Sequence, residues 1–278
     1  MNSKPDTIIK YLEKQRGFDF SGYCHSMIER RLDQRLIKTG NKTCQEYFSY
    51  LKTHPQELDN LVDALTINVS SFFRDSLAFD YISSKIFPKL LLEKKASQNP
   101  SLRIWSAGCA AGEEPYSLAM EISTLVKDIT TNISVDIFAT DIDKGSIDKA
   151  RKSTYKKESL NNVRYEYLKH FIQKADTFSL KHDIKQFVDF SNYDLLDKNT
   201  FSPPESLYGG FDIILCRNVL IYYNAEYQNR ILTKLFRSLN DNGYLVLGET
   251  EVPTRRFHDS FKKVTDCCKI YMKNSMVA

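Results

Sequence analysis

The stretch IWSAGCAAGEEPYSLAM, Ile104 to Met120, runs from apolar residues through a turn of small ones to two adjacent carboxylates, a proline and an amphipathic pattern. The apolar run reads as a buried strand and the segment from Glu114 onward as a helix. Ala107, Gly108, Ala110, Ala111 and Gly112 lack bulk, so the backbone there can approach a ligand closely. A dinucleotide-binding turn has the spacing G-x-G-x-x-G, with helix amides facing a pyrophosphate. Here the glycines are spaced otherwise, and Glu113 and Glu114 occupy the place where phosphates would sit. Coulomb repulsion argues against a pyrophosphate and for a ligand with positive charge and no phosphate. S-adenosylmethionine is such a nucleoside, its tail carrying a sulfonium and an ammonium. The competing reading is a tight turn whose helix N-terminus favours acidic residues through its dipole.

From Leu102 onward strands and helices alternate. ISVDIFATD reads as a strand, KGSIDKARKS as a short helix, QFVDFSNYDLL and FDIILCRNVLIYY as strands, YQNRILTKLFRSLNDNG as a helix and YLVLGET as a strand. FKKVTDCCKIYMKN reads as one or two antiparallel strands, and 155–185 as an irregular basic and aromatic stretch. Alternation of this kind implies an α/β domain with a parallel sheet covered on both faces. Its ligands bind at the carboxyl ends of the strands. The part before about Pro88 has helical periodicity and no convincing strand, with Gly40, Thr43 and Pro55 as helix punctuation. A helical domain with a linker helix is therefore expected over 1–88, and the α/β domain over 89–278.

The other strand ends carry the remaining candidates. Asp141, directly after the second apolar run, is suited to accept hydrogen bonds from ribose hydroxyls, while Asp143 suits the cap of the next helix. Asp194 could accept from an adenine amino group or be a solvated loop carboxylate. Arg217 and Asn218 interrupt an apolar run at the fourth strand end. Amino-methyltransferases of nucleic-acid bases carry an Asp/Asn/Ser-Pro-Pro-aromatic tetrapeptide at that point. Here Ser202–Glu205 (SPPE) precedes the strand and ends in glutamate, which is turn chemistry.

Composition is that of an ordinary globular chain: 42% apolar, 27% charged, and a net charge of +4 that is too mild to argue for nucleic acid. The six cysteines show no C-x-x-C pair and no zinc spacing, so reduced thiols, a cytoplasmic location and no metal are expected. No apolar run approaches the roughly 20 residues of a membrane helix, and no membrane insertion is expected.

LTINVSSFFRD, IWSAGCAAGEEPYS, ATDID, FDIILCRNVLIYY and GYLVLGETE resemble, in order and spacing, the motifs of CheR-type chemotaxis receptor glutamate methyltransferases, over nearly the whole chain. The resemblance implies a small all-α domain followed by a Rossmann-like S-adenosylmethionine-dependent methyltransferase domain, with a β-subdomain inserted at about 155–187. It implies that Asn68, Ser70 and Arg74 reach the cofactor. Glu114, beyond Gly108, would take its ammonium end and Asp141 its ribose. Asp194 and Leu195 would flank the adenine, and Asn218 and Val219 would complete the pocket. Arg74 and Tyr222 would lie beside the transferred methyl. The product would be S-adenosylhomocysteine, and the substrate glutamates on the cytoplasmic helical bundle of a methyl-accepting receptor. Family members that dock on a receptor pentapeptide carry a glycine-containing loop in the subdomain. HFIQKADTFSLKHDIKQFV has no glycine, so no tether is expected.

A glutamate carboxylate is ionised at neutral pH, so its methylation requires no general base. Alignment carries the rate, and the planar fork of Arg74 suits a carboxylate; the competing reading is a surface salt bridge with Asp75. Tyr222 suits packing beside the methyl, a hydrogen bond to Arg74, or a place in an ordinary aromatic core. Arg30, Arg31, Arg35 and Lys38 form a basic helix face that either docks on an acidic receptor bundle or is simply solvated. The chain is expected to act as a monomer. The alternative function is a module that senses S-adenosylmethionine or S-adenosylhomocysteine and signals to a partner.

Overall fold

The computed structural model describes residues 4–66, 70–95, 100–127, 133–206 and 210–274. They form two compact units, Met1–Asn68 with Tyr222–Tyr227, and Val69–Ile221 with Gln228–Ala278.

The first unit is helical: α1 (Lys4–Arg16), α2 (His25–Thr39), α3 (Cys44–Thr53) and α4 (Pro55–Thr66). The buried stripe of α2 is Met27, Ile28, Leu32, Arg35 and Leu36, the i, i+4 spacing of one helix face. Gly40 ends α2 in the left-handed conformation, its N–H donating to the carbonyl of Ile37. Thr43 caps α3 by accepting from the Glu46 N–H at 3.2 Å, and Glu46 in turn accepts from the Lys42 N–H at 2.8 Å. Residues 222–224 belong to this unit through backbone pairing: Cys24 N–H donates to the Tyr222 carbonyl (2.8 Å) and Asn224 N–H to that of Gly22 (2.9 Å).

One expectation fails here. Arg30 and Lys38 are exposed and Arg31 is half-buried, but Arg35 is 8% exposed. Its Nε and Nη2 donate to the two carboxylate oxygens of buried Glu57 at 2.9 and 2.5 Å. Tyr47 and Asn60 donate to the same carboxylate. Position 35 lies three residues beyond Leu32, on the inward stripe, so helical periodicity turns this arginine into the core and away from any docking partner.

The second unit opens with α5 (Ser76–Tyr81), a π-helical turn (Ile82–Ile86) and α6 (Phe87–Lys94). α5 and the π-helical turn, grouped from sequence with the first 88 residues, share with α6 the core of the second unit: Phe79, Ile82, Phe87, Leu90 and Leu91 join Leu102 and Ile104. The compact units accordingly divide between residues 68 and 69. Then follow β1 (Ser101–Ala107), α7 (Glu113–Lys127), β2 (Ser134–Asp141), α8 (Lys144–Lys152), β3 (Thr154–Lys156), β4 (Phe171–Lys174), β5 (Thr177–Leu180), α9 (His182–Lys185) and β6 (Val188–Asn192). The chain continues through β7 (Phe211–Cys216), α10 (Ala225–Ser238), β8 (Leu239–Leu247), β9 (Phe261–Lys263) and β10 (Ile270–Lys273).

The main sheet has the order β6-β2-β1-β7-β8-β10-β9, with β6 to β8 parallel and β10 antiparallel to both its neighbours. The strand order reverses beside β1, where the topology leaves a crevice at the carboxyl ends. Register brings those ends together: Asp141 pairs with Asn192, Ala107 with Thr140, and Ser106 with Leu215. The inserted sheet is β3-β5-β4, antiparallel, with β4 and β5 joined across Ala175 and Asp176. One boundary differs from the sequence pattern. The helix ends at Ser238, not near Gly243, because Leu239 already pairs with Phe211 and Asn240 donates to Gly210 and Asp212.

Candidate cofactor site

The turn after β1 is strapped to the end of β2. The N–H groups of Gly108 and Cys109 both donate to the Thr140 carbonyl, at 2.8 and 2.9 Å. Gly108 has φ +82, and a Cβ built there would lie 2.5 Å from Val219 Cγ2. Glycine is therefore required twice, by the backbone and by the close approach of Val219. Ala110 donates its N–H to Asp141 Oδ2 at 2.8 Å, and Asp143 donates to Oδ1 at 2.9 Å. Asp141 is 8% exposed. Burial raises its pKa against the opposing pull of those backbone donors. Each of its oxygens still has acceptor capacity. Asp143 caps α8 through Gly145 and Ser146.

The paired glutamates separate into two environments. Glu114 accepts from Ser106 Oγ at 2.7 Å and from Arg217 Nη1 at 3.2 Å. Burial raises its pKa, while Arg217, Ser106 and Arg74 pull the other way. Arg217, whose side chain is 2% exposed, also pairs with Asp75 at 2.8 Å and donates to the Arg74 carbonyl at 2.6 Å. Glu113 is also buried, and burial raises its pKa against its own backbone N–H and the Ser70 hydroxyl. Its Oε2 is buried with no hydrogen-bond partner among the described residues. A buried acceptor left open is costly unless a ligand completes it.

Arg74 is half-buried and sits between two residues with left-handed backbone, Phe73 (φ 51) and Asp75 (φ 54). Asn218 is also left-handed (φ 59), and its N–H donates to Glu251 Oε2 at 2.8 Å. Glu251, 3% exposed, accepts from Gly248 and Ile221 as well, so one carboxylate ties the segment after β7 to the segment after β8. Leu195 is buried. Asp194 accepts from the Leu196 N–H at 2.7 Å. Lys234 holds this loop with 2.8 Å donations to Tyr193 Oη and the Asp197 carbonyl, and a 3.4 Å donation to that of Asp194.

Ser70, Arg74, Gly108, Glu114, Asp141, Asp194, Leu195, Asn218 and Val219 all lie in the second unit. Tyr222, half-buried, belongs to the helical unit, and Asn68 lies outside the described residues. Sequence reasoning did not assign Asp75 or Glu251, or give Arg217 its central place. Their signals were an acidic residue next to Arg74, another just after the YLVLGET strand, and an arginine within an apolar run.

Residues 68–269 match the family described as CheR methyltransferase, SAM binding domain, and residues 6–66 match CheR methyltransferase, all-alpha domain. The chain belongs to the CheR methyltransferase family. It is 35% identical over 249 residues to a chemotaxis protein methyltransferase of Borreliella burgdorferi, covering 88% of this chain and 86% of that one. A relative of the same description from Listeria monocytogenes is 32% identical over 244 residues, covering 87% of each. Chemotaxis protein methyltransferase 1 of Pseudomonas aeruginosa is 32% identical over 250 residues, again covering 87% of each. This CheR chain is an S-adenosylmethionine-dependent methyltransferase with a role in chemotaxis. Its residues fit that cofactor. The open carboxylate oxygen of Glu113 suits a cationic tail, the cradle at Gly108 excludes any side chain, and Asp141 keeps acceptors for hydroxyls.

Proposed function

We propose that this enzyme methylates glutamate side chains on the cytoplasmic helical bundle of a chemotaxis receptor, giving methyl esters. The observation that carries the reading is Arg74, a half-buried guanidinium held between two left-handed residues beside the buried Glu114–Arg217 pair. The backbone strain at Phe73 and Asp75 is of the kind stored at functional sites. When bound, S-adenosylmethionine supplies an electrophilic methyl group on a sulfonium sulfur. Glu113 and Glu114 favour its cationic tail, Asp141 its ribose, and Asp194 with Leu195 its adenine. Asn218 and Val219 close the pocket, Val219 by its packing over Gly108. Asn68 and Ser70 complete the cofactor contacts, Ser70 through its hydroxyl on Glu113.

A receptor glutamate is already ionised at neutral pH, so the chain needs no residue to take a proton. Arg74 aligns the incoming carboxylate with its planar fork, and Tyr222 lines the approach. Arg30, Arg31 and Lys38 of α2 favour an acidic bundle, and that attraction is screened by salt. The glycine-free subdomain, whose β4–β5 turn is Ala175–Asp176, supports action without a pentapeptide tether; the enzyme is proposed to act in the cytoplasm as a monomer.

The test supplies labelled cofactor and receptor fragments and follows base-labile methyl. Arg74→Ala is expected to lower transfer by about 100-fold or more while cofactor affinity changes far less. Transfer at the wild-type rate would remove Arg74 from its assigned role. Tight cofactor binding with no transfer by the wild type to any receptor fragment would favour a sensor.

A further inference from the structure

The two residues before Arg74 are clamped by the inserted subdomain. Phe72 and Phe73 are 0% and 2% exposed. The Phe73 ring stacks on Tyr167 with centroids 5.2 Å apart and an interplanar angle of 10°, and the Arg164 guanidinium lies 5.8 Å from it. Tyr167 Oη donates to buried Glu121 at 2.8 Å, and Arg164 pairs with Glu121 and Asp80. Phe72 meets Tyr155 edge-on at 4.8 Å, and Tyr155 Oη donates to the Ala111 carbonyl in the cofactor turn at 2.9 Å. The Phe73 N–H donates to Ser117 Oγ of α7 at 3.0 Å, and that hydroxyl donates to the Glu113 carbonyl at 2.7 Å.

A bulky aromatic residue at φ 51 is disfavoured, and such a conformation persists only where its surroundings over-determine it. Phe73 meets that condition. Its ring is fixed by Tyr167 and its N–H by Ser117, so the direction in which Arg74 leaves the backbone is set by the subdomain and α7 together. We infer that Tyr167 is a positioning residue for Arg74, and that the inserted β-subdomain serves in this chain as the rigid support of the methyl-transfer site. The inference rests on the reading of Arg74 as the group that aligns the substrate carboxylate.

Tyr167→Leu removes the stacking face, whereas Tyr167→Phe keeps it and loses only the hydroxyl. In the full chain, Tyr167→Leu is expected to lower kcat about tenfold with KM for S-adenosylmethionine within about twofold, and Tyr167→Phe to stay within about twofold of wild type. Without cofactor, amide exchange in the peptide spanning 70–79 should speed up in Tyr167→Leu alone, as the Phe73 N–H loses its hold. In an Arg74→Ala background, Tyr167→Leu should lower transfer no further. If Tyr167→Leu does not fold, Phe73→Leu removes the other half of the stack and should show the same loss of kcat. Wild-type kcat in the leucine variant, equal losses in both tyrosine variants, or a full further tenfold loss without Arg74 would each overturn the inference. Wild-type transfer by Arg74→Ala alone would instead overturn the reading beneath it.

Discussion

Replacing Arg35 by alanine separates a structural arginine from a docking one. In the folded chain Arg35 and Glu57 have side chains 10% and 6% exposed and share two hydrogen bonds, with Tyr47 donating to the same carboxylate at 2.7 Å. Burial works to raise the Glu57 pKa, but Arg35, Tyr47 and Asn60 outweigh it and hold the carboxyl below its ordinary value. Removing the guanidinium leaves a buried carboxylate without its cation, which costs about 3–5 kcal/mol. Arg30→Ala, on an exposed side chain, should cost no more than about 0.5 kcal/mol. Because the folded pKa is depressed, the Arg35–Glu57 contribution is fully present above the unfolded value near 4.3 and is lost as pH falls through the folded one. The sole tryptophan, Trp105, is fully buried in the second unit, so its fluorescence follows that unit, while amide exchange in α2 follows the helical one. Arg35→Ala should collapse α2 protection, leave the tryptophan transition nearly in place, and lose the acid-sensitive component. Normal α2 protection, combined with weakened receptor association equal to that of Arg30→Ala, would refute the reasoning and return Arg35 to the docking surface.

Two further outcomes follow from the cofactor unit. Gly108→Ala places a methyl 2.5 Å from Val219 Cγ2 on a left-handed backbone, so a loss of about 2–4 kcal/mol in stability and of cofactor binding is expected. Calorimetry should find binding partly restored by adding Val219→Ala, and no restoration would count against the packing argument. Lys234 is 5% exposed, and burial lowers its pKa to about 8 against the pull of Asp197 and Asp194. The unfolded chain then binds more protons between pH 8 and about 10.4, so stability should rise with pH across that window, by about 3 kcal/mol at most relative to Lys234→Met. Denaturant midpoints of the two proteins at pH 7 and 10 measure the difference, and parallel curves would show that Lys234 does not titrate there.

How much of this was legible depends on whether a residue's partner is local. The positions of Gly108, Asp141 and Asn218 at strand ends could be read because a parallel sheet gathers those ends on one edge, whatever the loops between them do. Arg217 could be seen as an odd residue in an apolar run, yet its partners Asp75 and Glu114 lie in two separate elements, and no spacing rule joins them. Glu251 was hidden for the same reason, since its three N–H donors come from residues 218, 221 and 248. Phe73 is no glycine, asparagine or aspartate to announce a left-handed backbone, so the strain just before Arg74 has no sequence signature. Arg35 is different, because its signal was present: it falls on the stripe of Ile28 and Leu32, and Glu57 falls on the α4 stripe of Leu61 and Leu65. Two opposite charges at inward positions of neighbouring helices imply each other. Adjacent glutamates at a helix start point about 100° apart, and periodicity alone cannot say which one meets the ligand. The packing separates only their surroundings: Glu114 accepts from Ser106 and Arg217, while Oε2 of Glu113 has no hydrogen-bond partner among the described residues.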